Sequence, residues 1–187
     1  MRKKSHISLA RYIVNNMEDN DLKKHKLSFY IGSVLPDIKP SFVYKRHEMD
    51  GTYPDIRRHI ERLSEGRKLV EKKKGRKYYM DLGQISHYLA DYFTYPHNKI
   101  YPGSLKDHCS YEDLRRYIRT DAAKPHKADH LEFNSARNLC DFIQKSHDDY
   151  LVRKHDVEDD IHHIVEVNYK AMETMIHLLA EKRAEFR

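Results

Sequence analysis

The amino-acid sequence predicts an all-α protein that forms a single domain over residues 1–187. A chain of 187 residues is long enough to bury one core and has the usual size of one domain. Only 6 glycines and 6 prolines interrupt it, which favours long helices over many short strands. Apolar residues make up 39% of the chain, and they recur at helical spacing, as in a folded helical domain.

Helical periodicity predicts four segments in the N-terminal part. A first helix is predicted over residues 6–17 and a second apolar segment over residues 21–34. A loop with charged and aromatic residues follows over residues 36–52. Pro54 suits an early helical position, so a charged helix is predicted from there to about residue 74. The run EKKKGRK, which follows this helix, predicts a solvated turn at about Gly75.

The C-terminal part predicts longer and more apolar helices. The most apolar one covers residues 77–95, and Pro96 and Pro102 bound the loop behind it. Further helices are predicted over residues 109–120, 130–152 and 157–185. The last of these carries apolar residues at helical spacing from Ile161 to Leu179, which predicts a stripe that faces the core rather than a cofactor site.

The start of this last helix, HDVEDDIHHIVE, combines histidines with acidic residues. These residue types suit a further metal ion. They also suit a helix N-terminus whose acids complement the helix dipole, which is the interpretation we favour.

Charge and cysteine content restrict the partners and the location. The net charge of +6 can attract phosphates, nucleic acid or anionic lipid as partners, although on composition alone a solvated basic surface is the interpretation we favour. No specific nucleic-acid-binding motif is present. Two cysteines, Cys109 and Cys140, do not form a disulfide framework. We see neither a signal peptide nor a run of about 18 apolar residues, so we expect a cytoplasmic protein without a transmembrane segment.

The motif SHYLADYFTYPHN carries the first candidate metal ligands. His87 and Asp91 are four residues apart, so they share one helix face and can hold one metal ion. The two oxygens of the Asp91 carboxylate would allow it to bridge two ions. His97 follows Pro96, where the helix is expected to end, so it can turn toward a second metal ion.

A second pair of candidate ligands lies downstream in HCSYE. His108 and Glu112 are again four residues apart, and this pair suits zinc. The loop LPDIKPSFVYKRH adds Asp37 and His47, and His6 lies near the start of the first helix. Spacing alone leaves two interpretations open, a metal site or ordinary core and surface histidines, because 14 histidines produce such pairs by chance.

The run QISHYLADYFTYPHN followed by HCSYEDL resembles the zinc-dependent phospholipase C family of bacteria. That fold is shared with zinc-dependent single-strand nucleases. The family pattern is His, three residues, Asp, five residues, His, a loop, then His, three residues, Glu, and this sequence follows it in order and spacing. The similarity extends over residues 5–120, and includes the upstream Asp37 in GSVLPDI, His47 in KRH and His6 in KSHISLARYIVNN.

The resemblance implies a helical fold with about two or three zinc ions per chain. One ion would take Asp37, His47, His87 and Asp91. A second would take His97, His108 and Glu112. A third would take His6, Asp91 and the N-terminal amine and carbonyl of the mature chain. Secreted members of the family expose a tryptophan there by processing, whereas this sequence begins MRKK. Either Met1 or another backbone group fills the position, or the third site is partial.

The implied activity is zinc-dependent hydrolysis of a phosphoester, with phospholipid as the typical substrate of the family. Asp37 corresponds to the carboxylate proposed to orient or deprotonate the attacking water. Alternatives are a nucleotide or nucleic-acid phosphoesterase with the same chemistry, an HD-type phosphohydrolase using His147-Asp148 or His155-Asp156, and a non-catalytic metal-binding module.

Overall fold

A computed structural model describes residues 1–38, 48–65, 75–102, 118, 133–153 and 156–185. These residues form seven α-helices and no strand, which confirms the predicted all-α class. The helices are α1 Lys3–Asn16, α2 Asn20–Lys24, α3 Lys26–Gly32, α4 Met49–Ser64, α5 Gly75–Tyr92, α6 Ala136–Leu151 and α7 Val157–Glu185. A short 3₁₀ turn, Tyr95–His97, follows α5. None of the described helices is long and apolar enough to cross a bilayer.

Several boundaries differ from those predicted by periodicity: α5 ends at Tyr92 rather than residue 95, and α6 begins at Ala136 rather than residue 130. The apolar segment over residues 21–34 is divided at His25, whose φ of −104° and ψ of 17° leave the helical region. The backbone N–H and the ring Nδ1 of His25 both donate to the carbonyl of Asp21, in the first turn of α2. Helix α4 begins at Met49, so Pro54 lies inside the helix rather than at its start. The predicted helix over residues 109–120 lies outside the described residues, apart from the buried helical residue Ile118.

Helix α5 lies at the centre and packs against α1, α3, α4 and α7. Its contact with α3 is the closest, because a glycine on each helix removes the side chain that would separate the backbones. A Cβ atom on Gly32 would lie 2.0 Å from the carbonyl oxygen of Met80, and one on Gly83 would lie 2.2 Å from that of Phe29. The two backbones therefore touch, which brings the C-terminal end of α3 against the middle of α5.

The apolar face of α7 closes the core from the other side. Its stripe is buried as predicted, with Ile161, Ile164, Met172, Met175 and Leu179 all at most 2% exposed. The hydroxyl of the buried Tyr78 on α5 donates to the carbonyl of Met175 at 3.1 Å. A buried phenol without such an acceptor would be destabilising, so this bond fixes α5 against α7.

The contact between α3 and α5 predicts opposite effects of alanine at two glycines. We expect Gly83→Ala to lower the free energy of unfolding by about 1–3 kcal/mol or more, because its Cβ meets backbone that must shift. Gly51→Ala is the matched control, since a Cβ there meets nothing within 4 Å on helix α4. That change should stabilise the protein by up to about 1 kcal/mol. Urea denaturation measures both, and equal effects of the two substitutions would contradict the close contact.

Candidate metal centre

Five of the predicted ligands meet between α1, the turn after α3, the end of α5 and the 3₁₀ turn. His87 and Asp91 project from consecutive turns of α5, and both are 0% exposed. His6 lies on the apolar face of α1 and is 1% exposed. Asp37 follows α3, and His97 ends the 3₁₀ turn. Charged and polar groups this deeply buried require partners, and the partners are one another.

His87 is oriented by the backbone of α3. Its Nδ1 lies 2.9 Å from the carbonyl oxygen of Ser33. Because a carbonyl only accepts hydrogen bonds, Nδ1 carries the proton, which leaves Nε2 with a free electron pair in the neutral ring. Nε2 lies 3.2 Å from Oδ2 of Asp91 and 3.6 Å from Oδ1 of Asp37. A histidine fixed by its second nitrogen and directed at carboxylates is arranged as a metal ligand.

The two oxygens of Asp91 face different sets of partners. Oδ2 faces His87, whereas Oδ1 lies 2.5 Å from the N-terminal amine of Met1, 3.3 Å from Nε2 of His6 and 3.9 Å from Nε2 of His97. Burial by itself would raise the pKa of the Asp91 carboxyl. The adjacent Met1 ammonium, the strongest opposing influence, and then His97 outweigh burial and hold that pKa well below its ordinary value. Asp91 is therefore an anion at the centre of the cluster.

His6 has nitrogen atoms to spare for a metal ion. Its ring stacks on that of His87 with centroids 3.8 Å apart. Its Nε2 lies 3.3 Å from Oδ1 of Asp91 but is poorly oriented for a hydrogen bond, and its Nδ1 has no hydrogen-bond partner among the residues that the structure describes. Burial, and then the adjacent His87, lower the pKa of His6 to about 3. The ring is thus neutral at physiological pH. Buried nitrogens without hydrogen bonds are rare in native proteins, and a bound metal ion would satisfy them.

The spacing of these donors fits a metal ion. One ligand atom each from His6, Asp37 and His87 lie within 4.8 Å of one another. Zinc bonds of about 2.1 Å place tetrahedral ligands roughly 3.4 Å apart, so small side-chain movements bring all three into bonding distance. Imidazole nitrogen and carboxylate oxygen are also donors that zinc prefers. The residues present therefore fit the metal that the sequence predicts.

The N-terminal amine of Met1 lies inside the same cluster. It is 2.5 Å from Oδ1 of Asp91 and 2.7 Å from Nε2 of His97, and the Met1 residue is only 4% exposed. The resemblance implies an N-terminal amine near Asp91, and the Met1 amine lies next to that carboxylate. His97 contacts this amine and lies on the Oδ1 side of Asp91.

The remaining predicted ligands, His47, His108 and Glu112, lie outside the described residues, as does Cys109. Their roles stay predictions. Two contributors were missed by sequence reasoning. The carbonyl of Ser33 has no side-chain signature, and Asp160 was interpreted only as part of an acidic helix start, although it contacts the 3₁₀ turn. The pair His147-Asp148 does not converge, because His147 is buried and Asp148 is exposed.

Comparison with known protein families assigns the chain. The model of the family described as zinc dependent phospholipase C matches residues 5–157, most of the chain and all of the predicted ligands. The chain belongs to the zinc-dependent phospholipase C family. Searches of curated proteins and of solved structures returned no match. Family membership agrees with the all-α fold and with the donors that this zinc-dependent phospholipase C homologue brings together at Asp91.

Neutral His6 makes the metal-free protein sensitive to acid. In the unfolded chain the His6 ring becomes protonated below about pH 6.5. In the folded chain it becomes protonated only near its lowered pKa of about 3. Between these values the unfolded state binds more protons, so the free energy of unfolding falls as pH falls, by up to about 1.4 kcal/mol per pH unit from this group.

Removing the ring should flatten this dependence. We expect His6→Ala to reduce the slope of the unfolding free energy against pH between pH 6 and 4. The reduction should be up to about 1.4 kcal/mol per pH unit, the value for one proton. Urea denaturation of chelator-treated protein at several pH values measures the slope. Parallel pH profiles of the variant and the original protein would contradict a neutral buried His6.

Proposed function

We propose that this member of the zinc-dependent phospholipase C family hydrolyses phosphoesters with water activated at a multinuclear zinc site. The observation that carries the proposal is the buried Asp91, whose two oxygens face two different groups of nitrogen donors. A carboxylate placed between two donor sets is suited to bridge two metal ions. Pairs of metal ions a few ångströms apart are a recurrent device for phosphoester hydrolysis.

The proposed ligands follow the predicted sets. The first ion takes Asp37, His47, His87 and Asp91. The second takes His97, His108 and Glu112. The third takes His6, Asp91 and the Met1 backbone. The third set is supported by the position of the Met1 amine beside Asp91 and by the unbonded nitrogens of His6. The contact of His97 with the same amine supports neighbouring positions for the second and third sets.

The proposed chemistry divides between zinc and the protein. Bound zinc lowers the pKa of a coordinated water toward about 7 and polarises the phosphoryl oxygen. Of the two site carboxylates that the structure describes, Asp37 is the more accessible, with 9% of its side chain exposed against 1% for Asp91. The role we propose for Asp37 is to orient the attacking water and to accept its proton, and its greater exposure supports this role. Asp91 is buried and serves to hold the donors together.

The substrate class we propose is a phosphodiester. The net charge of +6 favours an anionic substrate, and phospholipid is the substrate that the family description names. A nucleotide or oligonucleotide uses the same chemistry and is the second substrate to test. The cytoplasmic location stays a prediction.

Zinc content tests the bridging role of Asp91. We expect the purified protein to hold on the order of two or three zinc ions per chain, and Asp91→Asn to lose more zinc than any other single change because it serves two ions. Asp81→Asn is the matched control on the same helix. Asp81 is also buried, but it binds Lys77 and Gln84. Plasma emission spectrometry after dialysis gives the metal count, and unchanged zinc in Asp91→Asn would refute the bridge.

Turnover tests the role of Asp37. Replacing it with asparagine removes the proton acceptor, so kcat/KM for a p-nitrophenyl phosphodiester should fall by about 10²–10⁴-fold. Asp141→Asn is the control, because Asp141 is an exposed partner of Arg57 and should leave kcat/KM unchanged. Phosphatidylcholine vesicles and a dinucleotide then separate lipid from nucleotide substrates. Stoichiometric zinc without turnover of any phosphoester would instead identify a metal-binding module.

A further inference from the structure

We propose that Asp160, at the start of α7, is a positioning residue that holds the 3₁₀ turn carrying His97. The inference rests on the proposed role of His97 as a metal ligand. It concerns a residue beyond the segment matched by the family model, which ends at residue 157. It also assigns a task to the C-terminal helices, which supply none of the predicted ligands.

The carboxylate of Asp160 is fully buried and uses each oxygen for a different element. Oδ2 accepts the backbone N–H of Tyr95 at 2.7 Å, and Oδ1 accepts the hydroxyl of Tyr150 on α6 at 2.6 Å. Asp160 itself is 0% exposed. Hydrogen bonds to a buried charged group are stronger than neutral ones. One carboxylate thus joins α6 and α7 to the first residue of the 3₁₀ turn.

The turn begins after α5 has ended, so the regular hydrogen bonds of that helix do not hold it. Helix α5 ends at Tyr92, and Pro96 in the turn has no backbone N–H to donate. The N–H of His97 bonds within the turn, to the carbonyl of Thr94 at 2.8 Å. The N–H of Tyr95 bonds to Asp160. The path of the chain into His97 is therefore set by a side chain from another helix.

A second tether holds the turn from its other side. The side-chain amide of Asn98 donates to the carbonyls of Tyr92 and Thr94, at 3.1 Å each. Its Oδ1 lies 3.0 Å from Nε2 of the buried His147 on α6, so the His147 ring donates to it. Side chains of α6 and α7 thus fix the residues on both sides of His97, and with them the 2.7 Å approach of its Nε2 to the Met1 amine.

The other acids at this helix start behave differently. Glu158 and Asp159 are exposed and fit the predicted role of complementing the helix dipole. Asp160 faces the interior instead. A buried carboxylate is costly, and its two short hydrogen bonds identify what it holds.

Zinc affinity is the first measurement. We expect Asp160→Ala to weaken zinc binding by about 10–100-fold, the usual cost of losing a partner that orients a ligand. Asp160→Asn should keep most of the affinity, because its oxygen can still accept from Tyr95 and its NH₂ can donate to Tyr150. Tyr53→Phe is the control for general destabilisation. It removes another buried hydrogen bond, from Tyr53 to the carbonyl of Cys140, away from the turn.

A double-mutant cycle separates positioning from general stability. If Asp160 acts through His97, then Asp160→Ala should change zinc affinity by less than about twofold in a His97→Ala background. An equal loss in both backgrounds would overturn the proposal, because it would show an effect that does not pass through His97.

A measurement without metal keeps this test independent of the proposed function. In chelator-treated protein, nuclear Overhauser contacts between the His97 ring and Met1 should be lost in Asp160→Ala and kept in Tyr53→Phe. Protection of the Tyr95 amide from hydrogen exchange should be lost with them. If the original protein binds no zinc, the proposed function fails while this measurement still decides the role of Asp160. Unchanged contacts and protection in Asp160→Ala would refute the positioning role.

Discussion

The buried carboxylate of Asp91 is surrounded by the Met1 ammonium group and by three imidazole rings. An isolated buried charge would be strongly destabilising, so the elements that supply its partners are held in place with it. The Met1 amine and His6 come from the N-terminal segment, His87 comes from the same helix, and His97 comes from the 3₁₀ turn. The packing of these elements and the arrangement of the centre therefore depend on each other. Bound zinc would also compensate the charge of the Asp91 carboxylate.

The packing of α3 on α5 connects the core to this centre. Because Gly32 and Gly83 let the two backbones touch, the carbonyl of Ser33 reaches Nδ1 of His87. That bond sets the tautomer and directs Nε2 at Asp37 and Asp91. A hydrogen bond from the other ring nitrogen orients a metal-binding histidine and fixes its tautomer. Here the acceptor is a backbone carbonyl whose position depends on two glycines.

The local sequence was sufficient to predict those features that depend on the helical period. The pairing of His87 with Asp91, the position of His97 after Pro96 and the buried stripe of α7 all follow from 3.6 residues per turn and from the chemistry of proline. Spacing could not join His6 and Asp37 to that pair, and only the resemblance to a family did so. The break at His25 and the early start of α4 escaped prediction, because they depend on local backbone geometry that apolar periodicity does not encode.

The amino-acid sequence by itself determined the helical class and the i,i+4 pairing of His87 with Asp91, since these depend on residue identity and short-range spacing. Tertiary structure decided which distant groups surround the Asp91 carboxylate, that the Met1 amine is among them, and that Asp160 is buried whereas Asp159 is exposed. The physical reason is that the burial of a charge depends on which donors from other elements reach it. For Asp160 those donors are Tyr95 and Tyr150, 65 and 10 residues away along the chain.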